Sequence, residues 1–152
     1  MNFEELMLRA VTNAETFKYT AKPNPVVGAI LCNDNEIISE GYHEVYGSNH
    51  AEINAISNAR KHQGKKFNNF SELALVCTLE PCSHVGKTGS CAEQIVETGI
   101  KKVVIGSIDP NPKVAGKGIE ILKKNGIDVT VGIHEDIVKN QNKYFFFKHT
   151  NN

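Results

Sequence analysis

Between Leu73 and Val131 the chain alternates between short β-branched segments and amphipathic ones, and that order leaves few ways to fold. Leu73 to Leu79 reads as a strand. Ser90 with Glu93 makes a capping box that opens a helix through Thr98, and Gly99 stands just past its end. Lys102 to Ile105 is the next strand, Ile119 to Lys124 the next helix, and Ile127, Val129 and Val131 alternate as a further strand. Strand–helix–strand units of this kind suggest parallel crossovers.

The first half reads differently. Phe3, Leu6, Met7, Ala10, Val11, Ala14 and Phe17 recur at helical spacing, and Pro23-Asn24-Pro25 ends that region. Val26 to Cys32 is a continuous apolar run, expected as a buried strand. Asn33-Asp34-Asn35 supplies a turn, and Glu36 to Glu40 the return strand, which makes an antiparallel hairpin at one side of the sheet. A helix is expected from about Asn49 to His62, stopping near Gly64, and a last one from Ile133 to about Phe147, with Glu135 and Asp136 at its positive end. The expected class is α/β: one domain over residues 1–147 with a mixed sheet of about five strands, then a polar tail over 148–152.

Composition removes several function classes. The 152 residues suit one compact domain. Lys plus Arg and Asp plus Glu each total 17, so the chain lacks the basic excess of a protein that tracks a nucleic-acid backbone. No apolar run approaches the roughly 20 residues of a membrane span. The acidic, helical start at Met1 to Glu5 is unlike a signal peptide. A cytoplasmic location follows by default, and there four cysteines are thiols or metal ligands before they are disulfides.

Two short stretches carry the chemistry: His50-Ala51-Glu52, and Glu80-Pro81-Cys82 with Cys91 nine residues on. Imidazole and thiolate are the usual donors to zinc, and a catalytic zinc keeps its fourth position for water. His50, Cys82 and Cys91 are the candidate ligands of one Zn2+ per chain, and Glu52 is the carboxylate left over for proton transfer. Asn49 reads as an N-cap that puts His50 and Glu52 in a helix's first turn, and Pro81 as the start of a turn or helix that puts Cys82 near a helix N-terminus. A purely structural zinc is the rival, because His43 or His84 would complete a set of four ligands. Cys32 and Cys77 fall inside strands and read as core.

His-x-Glu and Pro-Cys are parts of the zinc-deaminase signature, His-x-Glu…Pro-Cys-x-x-Cys, with the second cysteine moved further off here. Further motifs narrow the likeness: Pro23-Asn24-Pro25-Val26-Val27-Gly28-Ala29, Gly41-Tyr42-His43, Gly47-Ser48-Asn49-His50-Ala51-Glu52, Thr78 to Cys91, Asp109-Pro110-Asn111-Pro112 and Gly116-Lys117-Gly118. Almost the whole chain resembles the deaminase domain of the bacterial riboflavin-biosynthesis deaminase/reductase family. The resemblance implies the three-layer αβα cytidine-deaminase-like fold. It also implies hydrolytic removal of the 2-amino group of 2,5-diamino-6-(5-phosphoribosylamino)pyrimidin-4-one as ammonia. On that resemblance His50, Cys82 and Cys91 match the zinc ligands and Glu52 the proton shuttle.

Asn24 and Asn111 each stand between two prolines, and the residues alone favour a plain turn at both. The resemblance implies instead that Asn24, His43, His84, Lys87, Asp109 and Asn111 contact the phosphoribosylaminopyrimidine substrate, Lys87 meeting its phosphate as a point charge. It implies a homo-oligomer as well. Two departures stand out. Gly89-Ser90 replaces a pair of prolines common in the family, and the chain stops where the family's reductase domain would begin, so a separate or missing reductase is implied. The rival readings are a nucleotide or tRNA-adenosine deaminase of the same superfamily and a non-catalytic structural-zinc domain. Phe145-Phe146-Phe147 either packs on the core or faces a partner.

Overall fold

A computed structural model describes residues 2–45, 48–63, 70–84 and 89–150. Its centre is one mixed sheet of five strands in the order β2-β1-β3-β4-β5, with β1 at Gly28–Cys32, β2 at Ile37–Tyr42, β3 at Ala74–Leu79, β4 at Lys102–Ser107 and β5 at Asp128–Val131. β1 runs antiparallel to both β2 and β3, whereas β3–β4 and β4–β5 are parallel. The hairpin edge and the crossovers thus sit where the sequence puts them.

Alternation along each strand divides the helices into two layers. Ala29, Leu31, Leu75, Cys77, Val103 and Ile105 face one way and pack under α2 (Ala51–Gln63), α3 (Cys91–Thr98) and α4 (Lys117–Lys124). Ile30, Cys32, Val76 and Val104 face the other way, onto α1 (Phe3–Ala14) and α5 (Glu135–Gln141), with Phe146 of α6 (Lys143–Thr150) alongside. Cys32 and Cys77 are core residues as expected.

Local sequence explains most boundaries. Asn2 caps α1 through the Glu4 and Glu5 amides. Ser90 and Glu93 cap α3 reciprocally, and Gly99, at φ 87°, ends it in the left-handed region. The last helix departs from expectation. It breaks at Asn142, which turns its side chain away to bond both the N–H and the C=O of Val26, each at 2.9 Å, and α6 then continues to Thr150. Phe146 packs on the core, as one of the two readings of the aromatic run expects, while Phe147 is 64 % exposed.

The edge strand β2 is covered by α2. Asn54 and Asn58, one helical turn apart, donate their side-chain N–H to the carbonyls of Tyr42 (2.7 Å) and Glu40 (2.8 Å). Gly41 lets the helix come this close, since a Cβ there would meet the Ala55 nitrogen and the Ala51 carbonyl oxygen. Gly41→Ala is expected to cost about 1–3 kcal/mol, the usual range for overpacking, and to weaken metal binding by shifting the helix that follows His50. Chemical denaturation and zinc titration of the variant read both effects.

Candidate active site

Three segments bring four residues together at one end of the sheet. His50 immediately precedes α2, Glu52 lies in its first turn, Cys82 follows β3, and Cys91 opens α3. Among the described residues, the donor atoms of His50, Cys82 and Cys91 form a possible metal site, all within 4.8 Å of one another. His50 Nδ1 is 3.2 Å from Cys91 Sγ, and the Cys91 N–H donates to Cys82 Sγ at 3.3 Å. Zinc–nitrogen and zinc–sulfur bonds at tetrahedral angles place ligand atoms roughly 3.5 Å apart. The donor set and its spacing therefore fit zinc.

Two local expectations are corrected. Cys82 does not sit at the start of its own helix, because residues 81–84 belong to neither helix nor strand. Instead Cys82 docks on the N-terminus of α3, its sulfur accepting the Cys91 N–H and its carbonyl the Ala92 N–H (3.1 Å). The helix that favours its thiolate lies later in the chain and reaches it through space. Asn49 is likewise one residue early for the start of α2. The Asn54 N–H bonds the His50 carbonyl, while the Asn49 carbonyl receives His43 Nδ1 (3.2 Å) and Asn54 Nδ2 (3.3 Å).

The electrostatics suit a metal that removes protons. Cys91, donating its S–H to Cys82, pushes the Cys82 thiol down to about 4, with help from His50 against the opposing cost of burial. Cys91 is driven up by that same bond and by burial, and His50 is raised chiefly by its contact with the Cys82 sulfur. A bound cation would favour the deprotonated form of both thiols. Glu52 is 3 % exposed, and burial raises its carboxyl, with His50 opposing.

His43 lies against His50 with ring centroids 5.4 Å apart, but it is not available as a fourth ligand. Its Nδ1 faces the Asn49 carbonyl and its Nε2 faces Asn24 Nδ2 at 3.1 Å, so an Nδ1–H tautomer satisfies both contacts. Burial lowers its pKa and holds it neutral. That arrangement fixes the Asn24 amide, and Asn142 fixes the backbone two residues on. Asn24 also borders a cavity of about 1040 Å³ that runs between Lys22 and α6, and none of the three metal ligands lines it.

The second Pro-Asn-Pro segment is built from local turns. Asp109 Oδ1 accepts the Asn111 N–H (2.8 Å), and Asn111 Oδ1 accepts the Lys113 N–H (3.0 Å). Both bonds are the turn geometry that the residues alone favour. Asp109 is half-buried, and its carboxyl is raised by that burial first and by nearby Glu80, within electrostatic reach of Cys82. His84 is exposed and outside the ligand cluster. Lys87 lies outside the described residues. Gly89 has φ 87°, which proline cannot adopt, and Ser90 supplies the α3 cap, so this chain's departure from two prolines here serves to start α3. Sequence reasoning missed Glu80 and Asn142, whose side chains bond backbone far along the chain. A polar residue two before a candidate metal ligand and one interrupting a helical run were the only signals.

Residues 1–107 match the family described as the cytidine and deoxycytidylate deaminase zinc-binding region. A diaminohydroxyphosphoribosylamino-pyrimidine deaminase of Buchnera aphidicola subsp. Schizaphis graminum is 44 % identical over 140 residues, which cover 92 % of this chain and 90 % of that protein. The chain belongs to the diaminohydroxyphosphoribosylamino-pyrimidine deaminase family. Riboflavin biosynthesis protein RibD of Aquifex aeolicus is 41 % identical over 140 residues, 92 % of this chain but 37 % of that protein. A deaminase/5-amino-6-(5-phosphoribosylamino)uracil reductase of Thermotoga maritima superposes with a TM-score of 0.88 at 42 % identity, covering 98 % of this chain and 41 % of that one. Zinc is the metal of this deaminase family, and the His50, Cys82 and Cys91 site accords with it. The chain thus spans nearly all of the shorter family members and about two fifths of the longer ones. No described helix is long and apolar enough to cross a membrane.

Proposed function

We propose that the protein hydrolyses 2,5-diamino-6-(5-phosphoribosylamino)pyrimidin-4-one to 5-amino-6-(5-phosphoribosylamino)uracil and ammonia. The observation that carries this reading is a cluster of three metal ligands with a buried Glu52 beside it. A structural zinc takes four protein ligands, whereas a catalytic one takes three and leaves a position open. The substrate is inferred from the names of the relatives.

Zinc bound by His50, Cys82 and Cys91 would supply a water activated at neutral pH. Glu52 is the group that accepts the proton of that water and returns it, first to a ring nitrogen and then to the departing amine. Burial suits it to this exchange by making its protonated form accessible. Asn24, oriented by neutral His43, and Asp109 with Asn111 are assigned to hold the pyrimidine, and His84 and Lys87 to meet the phosphoribosyl arm. The deaminase unit is taken as residues 1–147, working in the cytoplasm as a homo-oligomer.

Ammonia release from the pyrimidinone phosphate, compared with CMP, dCMP and tRNA, tests the reading. Turnover of the first alone is expected. Release from a nucleotide or from tRNA instead would move the protein to another branch of the superfamily, and no release from a zinc-loaded protein would leave a structural-zinc domain.

A further inference from the structure

We propose that Glu80 is a positioning residue for the substrate loop, acting through three backbone amides. The inference rests on the deaminase reading above. Glu80 stands at the end of β3, two residues before the ligand Cys82, and is 8 % exposed. Its Oε1 accepts the N–H of Asp109 and of Gly116, each at 3.0 Å, and its Oε2 accepts the N–H of Ile119 at 3.1 Å. Its own N–H donates to the Ser107 carbonyl (2.9 Å), extending the β3–β4 ladder by one rung.

One carboxylate therefore holds three points: the start of the loop that carries Asp109 and Asn111, the end of that loop, and the first turn of α4. Bonds of this kind to a charged acceptor are among the stronger ones a side chain can make. The same junction is tightened from below. A Cβ on Gly118 would collide with the Pro81 carbonyl oxygen, so α4 lies directly against the segment that leads into Cys82. Metal strand and substrate loop are thus locked in register by Glu80, while His50 just before α2, Glu52 in α2 and Cys91 in α3 are not among the amides it binds.

Glu80→Gln keeps the shape but replaces one acceptor oxygen with an N–H2 group facing backbone N–H. The loop should loosen while the metal set stays. The expected result is unchanged zinc content, kcat within about threefold of wild type, and KM for the pyrimidinone phosphate raised roughly tenfold, the scale of one lost buried hydrogen bond to a charged group. A role confined to stability would lower the melting temperature and leave KM alone. In hydrogen exchange, the Asp109, Gly116 and Ile119 amides should be slow and matched in the wild type and released together in the variant. A folded, zinc-loaded variant with wild-type KM overturns the proposal, as does a loss confined to kcat. Should the variant not fold, wild-type exchange decides: matched protection of the three amides supports the clamp, and unrelated rates at Asp109 and Gly116 overturn it. A wild-type protein inert toward the pyrimidinone phosphate defeats the substrate reading, and the exchange measurement still decides the role of Glu80.

Discussion

Glu52→Ala is expected to keep about one zinc per chain and to lose ammonia release by about 10²–10⁴-fold, the range for a removed general acid–base. The two readouts separate because Glu52 is not one of the three donor residues. Glu52→Gln is the sharper companion. It fills the same volume without the group whose carboxyl burial raises, so its thermal midpoint should match or exceed that of the wild type. Metal analysis with an ammonia assay checks the first expectation, and a thermal melt the second. Activity surviving either substitution would remove Glu52 from the mechanism.

Cys91→Ser should abolish stable metal binding. Cys91 is one of the three candidate ligands among the described residues, and its thiol and N–H, together with His50, set the Cys82 sulfur low. Serine preserves the backbone bond but offers no thiolate. Loss of a group that merely orients a ligand costs about 10–100-fold in affinity, so loss of the ligand itself should exceed that. Zinc per chain is expected to fall from about one to near zero after dialysis against a weak chelator, with ammonia release falling alongside. Full metal content would exclude Cys91 from the ligand set.

Much of this was legible because it is written locally. The Ser90–Glu93 box and Gly99 bound α3 within the chain's own neighbourhood. The unbroken apolar run Leu75-Val76-Cys77 suits a strand buried on both faces. The three candidate ligands were legible as a chemical set. What was hidden is reach through space. Nothing local says that the dipole serving Cys82 belongs to α3, that the Asn142 amide will leave its helix for Val26, or that Glu80 will gather amides from Asp109 to Ile119. Periodicity reports burial, and these three side chains are placed by partners that become neighbours only once the sheet is assembled.

The fit of α2 against β2 has a consequence for how the protein behaves when crowded. A sheet's outer strand is a template for a strand from another chain unless something occupies its hydrogen-bonding groups. On this strand the amides of Asn54 and Asn58 take the carbonyls of Tyr42 and Glu40, and Gly41 between them has no side chain to hold the helix off. The margin nearest His43 and His50 is thus guarded against stray pairing by residues of the helix that carries Glu52. Losing either asparagine should raise the tendency to aggregate as well as loosen the site, so the helix that carries Glu52 also helps prevent unspecific strand pairing.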